Sequence, residues 1–190
     1  MKHIRLLRLS VLGFCALTSA SAMAHVGDHS LSSWTAGLVH PILGIDHLLA
    51  LIAAGFCLAQ QGKSKKAPLV IAFLMLLGIG MALGLQLSAW SFEPGIPASM
   101  LALGILLAFA LKLRLLSAVL VLGLVALVHG FVHGTELPEG QALHFSAGLL
   151  ISSGLILITS SILAAYTQTM GKGVLGRILG MVVASFAILS

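Results

Sequence analysis

Charged residues are scarce in this sequence. Asp, Glu, Lys and Arg make up 8% of its 190 residues, whereas about a quarter of a typical soluble domain is charged. Aromatic residues contribute only 6%, while hydrophobic residues reach 59%. So few charges cannot cover a surface that faces water. The composition therefore excludes an ordinary soluble domain and predicts an all-α polytopic membrane protein.

Cysteine is almost absent as well. Cys15 lies in the N-terminal leader described below, and Cys57 stands alone in an apolar stretch, which excludes a disulfide framework and argues against a thiolate metal site. The sequence also lacks a glycine-rich phosphate loop with its lysine, so we expect no ATP-driven step. Nothing in it indicates nucleic-acid binding, and no organic cofactor is expected.

The first residues have the pattern of a secretory signal. Basic residues accompany the apolar run 6–17, and the small-residue triplet Ala22-Met23-Ala24 follows. This order is typical of a cleaved signal peptide, because the apolar run is too short to span a bilayer. We predict a signal peptide over 1–24 and a mature domain over 25–190. An uncleaved first helix is the alternative.

The mature chain contains six apolar stretches of the kind that cross membranes as helices. They are 36–60, 68–88, 97–111, 115–133, 142–166 and 173–189. Its basic residues lie in or beside the joints 61–67, 112–114 and 167–172, which the positive-inside rule assigns to the cytoplasm. The sequence therefore predicts six transmembrane helices in a bacterial inner membrane, with the mature N-terminus in the periplasm.

Small residues and a possible repeat suggest how these helices pack. The pairs Gly80/Gly84 and Gly176/Gly180 have the four-residue spacing that lets helix backbones approach closely. Six spans can form two inverted triplets, a plan common among transporters. The supporting sequence echo, residues 38–40 against 127–129, is weak.

A first group of polar residues opens the first apolar stretch. It comprises His40, Asp46 and His47, at a depth where ionisable groups are costly and usually functional. In one continuous helix His40 and His47 would share a face, with Asp46 rotated by about 100 degrees from His47. Pro41 leaves a second possibility, in which the helix starts there and His40 flanks it.

A second group ends the fourth stretch. His129, His133 and Glu136 are spaced by four and three residues, which places them on one helical face, and His144 enters the fifth stretch from the same side. Imidazole with carboxylate suits Ni, Zn, Co or Cu(II) rather than Mg or Ca. Interhelical hydrogen bonding by these polar groups is the alternative.

Three more residues are candidate metal ligands. His25 and His29 open the mature chain, where an ordinary flexible terminus explains them equally well. Glu93 lies in a predicted loop, where a solvated carboxylate is the competing explanation.

The motifs His-Pro-x-x-Gly-x-Asp-His at 40–47 and His-Gly-x-Glu-Leu at 133–137 resemble the HupE/UreJ family. The resemblance extends over the whole mature chain. It implies a permease that imports Ni²⁺ as its substrate, with Co²⁺ or Zn²⁺ possible, and it implies hydrogenase or urease maturation proteins as partners. The best functional residues are then His40, Asp46 and His47, followed by His133 and Glu136.

Two other classes of protein are compatible with the same residues. Three histidines and an aspartate can hold zinc with an open position for water, as in an intramembrane zinc hydrolase. Two histidines facing each other across helices can bind haem. Neither class is an ion carrier, so transport measurements would separate them from the permease.

Overall fold

The described part of the chain folds into a bundle of seven helices. The computed structural model describes residues 33–87, 92, 94–137, 140–171 and 173–190. The helices are α1 (Ser33–Leu43), α2 (Ile45–Gln60), α3 (Lys63–Gln86), α4 (Gly95–Ala108), α5 (Leu115–Thr135), α6 (Ala142–Thr169) and α7 (Val174–Leu189). These ranges contain no β-strand, which confirms the all-α fold. The predicted signal peptide over 1–24 lies outside the described residues.

Within the described ranges, three helices, α3, α5 and α6, are long and apolar enough to cross a membrane. A fourth crossing is formed if α1 and α2 count as one bent span, and α4 and α7 are shorter apolar helices. The chain is therefore a helical membrane protein. A helix or a bent pair of helices occupies each of the six stretches that the sequence marks as apolar.

The first stretch is not one straight helix. Its two halves, α1 and α2, meet at an angle of 74°, and the break falls at Gly44, whose backbone is extended (φ −81°, ψ 112°). The Gly44 N–H donates to the carbonyl of His40 (3.2 Å), and its own carbonyl accepts from Leu48 (2.9 Å). Pro41 weakens the end of α1 because proline has no N–H to donate.

Glycines bring α3 and α5 into backbone contact. A Cβ atom at Gly80 would overlap the carbonyl of Leu127, and one at Gly134 would overlap that of Met81 and lie 2.9 Å from the Cα of Gly84. The predicted role of Gly80 and Gly84 in close packing is confirmed. This contact fixes the C-terminal half of α5, which carries the two histidines of the second motif.

The predicted pair Gly176/Gly180 is only half right. A Cβ at Gly180 would overlap the backbone of α4 at Ala108, whereas a Cβ at Gly176 would lie 3.6 Å from the side chains of Phe56 and Gln60, an ordinary contact distance. The α4–α7 contact therefore uses Gly180, together with Gly104 on α4.

The main helix contacts form three sets. Helices α1 and α2 pack on α6, α3 packs on α5, and α4 packs on α7. With the bent pair counted as one unit, the first unit contacts the fifth, the second the fourth and the third the sixth. If the first unit is exchanged with the fourth, the second with the fifth and the third with the sixth, the same three contacts result. It is the contact pattern that two structural repeats would produce.

Candidate metal centre

Three histidines from three helices meet inside the bundle. His40 lies in the last turn of α1, His47 in the first turn of α2 and His133 near the end of α5. One ring nitrogen from each lies within 4.8 Å of the others. Their ring centroids are 4.4 to 5.2 Å apart. We call this group the three-histidine cluster.

The bend at Gly44 makes the cluster possible. In a straight helix, residues 40 and 47 are separated by about 10 Å along the axis, whereas here the rings of His40 and His47 are 5.2 Å apart. Space at Gly44 is also needed, since a Cβ atom there would lie 2.6 Å from Nδ1 of His47. Gly44 therefore permits the bend that brings His40 to His47 and leaves space for the His47 ring.

Asp46 orients the ring of His47. Its Oδ1 lies 2.7 Å from Nδ1 of His47, and the two side chains are 27% and 12% exposed. An ionised carboxylate can only accept a hydrogen bond, so Nδ1 carries the proton and Nε2 keeps its lone pair. That Nε2 atom is buried without a hydrogen-bond partner. A carboxylate behind a histidine in this way is the usual support of a metal ligand.

The donor set defines the kind of ion that would fit. Three imidazole nitrogens match the preferences of Ni, Zn, Co and Cu(II), while Mg and Ca require mainly oxygen donors. The ring of Phe145 packs edge-on against His40 with centroids 5.4 Å apart. It shields one side of the cluster with an apolar group.

An open cavity leads to the cluster from one end of the bundle. We call it the vestibule, and its lining residues are Asp46, His47, Pro94, Ile96, Pro97, Met100, Val132, Glu136, Phe186 and Ser190. Glu136 follows the last residue of α5 and is exposed. The vestibule thus exposes two carboxylates, of Asp46 and Glu136, beside a histidine of the cluster.

His129 and His144 occupy different surroundings from the cluster. His129 is buried one helical turn before His133, with its ring 6.2 Å from that of His47. His144 is exposed at the start of α6, and the structure does not bring it to the three histidines. Its neighbour Phe145 faces them instead. The remaining candidates, His25, His29 and Glu93, lie outside the described residues.

Sequence reasoning did not identify Ser99. Its hydroxyl lies 3.2 Å from Nδ1 of His129, although it comes from α4, which carries no histidine or acidic residue. No motif pointed to it. Phe145 could have been found, because adjacent residues on a helix point about 100 degrees apart, so that only one of residues 144 and 145 can face a given neighbour.

The fold and the cluster define a helical membrane protein with imidazole ligands enclosed between its helices. The HupE / UreJ protein family matches residues 13–189, and this chain belongs to that family. It is similar to Protein HupE of Rhizobium leguminosarum bv. viciae, with 34% identity over 165 residues that cover 86% of each chain. No solved structure matches it. The family resemblance indicated by the two sequence motifs is thereby confirmed.

Proposed function

We propose that this protein is a permease that takes up a divalent transition metal ion, Ni²⁺ in the first place, from the periplasm into the cytoplasm. The observation that carries the proposal is the three-histidine cluster of His40, His47 and His133, which lies between helices and next to the vestibule. Membership of the HupE/UreJ family supports a role in supplying metal for hydrogenase or urease maturation.

We place the protein in the inner membrane with six spans and a periplasmic N-terminus after removal of the signal peptide. In this arrangement α1 and α2 form one bent span, and α4 and α7 are short spans. Bent and interrupted helices are typical of transporter binding sites. The arrangement places the vestibule on the periplasmic side and the lysines at the start of α3 on the cytoplasmic side.

The uptake route starts at the vestibule. Its carboxylates, Asp46 and Glu136, attract a cation and replace part of its water shell. The ion then exchanges onto the imidazoles, of which His47 is the first because it lines the vestibule itself. Asp46 acts twice, first by its charge and then by holding His47 in the tautomer that binds the ion.

Uptake of radioactive nickel into proteoliposomes tests the proposal. We expect saturable uptake by the wild-type protein and none by His47→Ala or His133→Ala, because each variant removes one imidazole of the cluster. Ser161→Ala serves as a matched control, since it removes a buried hydroxyl from α6 in a part of the helix that does not line the vestibule. Competition by cobalt and zinc reports the selectivity.

Absence of uptake by correctly folded wild-type protein would contradict the permease. If such protein also retained one zinc ion per chain through purification, the intramembrane hydrolase would become the better explanation.

A further inference from the structure

The ring of His129 is held from behind by two oxygen atoms. Its Nδ1 lies 3.0 Å from the carbonyl of Val125 and 3.2 Å from the hydroxyl of Ser99. A carbonyl can only accept, so Nδ1 carries the proton. The Ser99 hydroxyl donates to the carbonyl of Ile96 (2.8 Å), which leaves its lone pairs toward His129.

The other nitrogen of His129 is therefore an unprotonated donor atom for a metal. Nε2 is buried and has no hydrogen-bond partner, while the residue as a whole is only 7% exposed. Leaving such an acceptor unsatisfied costs free energy, unless a guest binds it. His47 presents its Nε2 in the same condition.

A small second cavity lies beside both histidines, and we call it the inner cavity. It is lined by His47, His129 and His133, by Ser153 of α6 and otherwise by apolar side chains such as Phe73 and Leu77. The volume that the centre of a water molecule could occupy in it is about 20 Å³. The cavity therefore has room for one water molecule or one ion. His47 lines both the vestibule and the inner cavity.

The separation of the two rings is compatible with one ion that bridges His47 and His129. With a metal–nitrogen bond of about 2.1 Å, each ring centroid lies roughly 3.2 Å from the ion, so two rings that share an ion have centroids about 4.5 to 6.4 Å apart. The observed separation is 6.2 Å. The ion–ligand angle at this second position would be wide, which leaves space for a third ligand such as water or a hydroxyl.

We propose that His129 forms, with His47, an inner position for the transported ion, distinct from the three-histidine cluster. The proposal rests on the permease function proposed above. The ion first binds His40, His47 and His133, and then moves deeper by keeping His47 and exchanging the other two imidazoles for His129. Because both positions use Nε2 of His47, one chain holds one ion at a time. Ser99 is a positioning residue that holds the His129 ring.

Separate measurements of binding and uptake test this inference. Calorimetric titration of the detergent-purified protein with Ni²⁺ measures binding at the three-histidine cluster. Initial rates of radioactive nickel uptake into proteoliposomes measure transport across the membrane. His129→Gln should bind Ni²⁺ within about threefold of the wild-type affinity, yet its uptake at saturating metal should fall at least about tenfold. His40→Ala should lose both.

Ser99 gives a second test that does not alter any ligand. Ser99→Ala should lower the maximal uptake rate roughly tenfold with little change in half-saturation, and Ser99→Thr should restore it because the hydroxyl returns. Ser161→Ala, which removes another buried hydroxyl, should behave as wild type. A purely structural role of Ser99 would instead lower thermal stability and affinity together.

Each remaining outcome overturns a different statement. Wild-type uptake by folded His129→Gln would exclude the inner position and leave the permease standing. Loss of Ni²⁺ binding in the same variant would make His129 a ligand of one single site, which also contradicts two positions. Failure of the wild-type protein to transport would refute the proposed function itself.

Discussion

Replacing Gly44 by alanine should damage the metal centre without unfolding the protein. The backbone at Gly44 (φ −81°, ψ 112°) is open to any residue, so alanine causes no backbone strain. Its Cβ atom, however, would lie 2.6 Å from Nδ1 of His47 and 3.1 Å from Oδ1 of Asp46. Both atoms belong to side chains that can move. The hydrogen bond between them holds the His47 ring in the orientation that binds a metal ion.

The size of the effect follows from the distances. Ordinary contacts begin near 3.4 Å, so the His47 ring must retreat by roughly 0.8 Å, far more than the ~0.2 Å tolerance of a metal–ligand bond. Loss of the supporting carboxylate alone costs about 10-fold to 100-fold in metal affinity. We therefore expect Gly44→Ala to bind Ni²⁺ at least about tenfold more weakly, which equals about 1.4 kcal/mol.

Calorimetric titration of purified protein with Ni²⁺ measures this loss, and thermal unfolding shows whether the fold is intact. The matched control is Gly78→Ala, because a Cβ there would meet only side-chain atoms of Leu150, the nearest at 3.7 Å. In that variant affinity should stay unchanged, and stability should rise slightly through better helix propensity. Wild-type affinity in Gly44→Ala would refute the argument that this glycine makes room for the side chains of Asp46 and His47.

Three further predictions concern the carboxylate at the metal centre and two contacts elsewhere in the bundle. Asp46→Asn keeps the shape but loses the negative charge, so Ni²⁺ affinity should fall about tenfold by calorimetry; an unchanged affinity would exclude a supporting role for the carboxylate. Gly134→Ala forces a Cβ against the Met81 carbonyl and should lower thermal stability by about 1–3 kcal/mol, whereas a stable variant would show that α3 and α5 can separate freely. Gln61→Leu leaves the Leu113 N–H without its 2.7 Å acceptor and should cost about 1–3 kcal/mol. In this variant the segment after α4 should be cleaved faster by protease, while Ni²⁺ affinity should stay unchanged. A cleavage rate equal to that of the wild type would contradict this prediction.

The predicted helices correspond closely to the observed ones because apolar stretches between charged joints leave a membrane chain few alternatives. The bend at Gly44 was harder to foresee. Pro41 raised the possibility of a helix start, but the chain remains helical through Pro41 and breaks three residues later. Local propensity marks a weak region but does not give the residue at which the helix breaks.

Helix periodicity predicted the part of the site that lies on α5. His129 and His133 share a face of α5 because they are one turn apart, and both are buried. Glu136 lies past the helix end, so the same rule failed to place it with them, and it reached the vestibule instead. His144 is one residue out of phase with the cluster, since Phe145 occupies the inward direction.

Ser99 shows what a single sequence cannot reveal about such a site. A serine in an apolar helix has no spacing relation to a histidine thirty positions away, and only the packing of α4 beside α5 makes them neighbours. The Val125 carbonyl fixes the proton on Nδ1 of His129, and the Ser99 hydroxyl helps to hold the ring with its other nitrogen available to a metal ion. In a membrane interior the ligands can be found by their cost, because buried imidazoles are expensive. Burying a serine hydroxyl costs little free energy, so the residues that orient the ligands give no signal in the sequence. They are recognised only in the assembled structure.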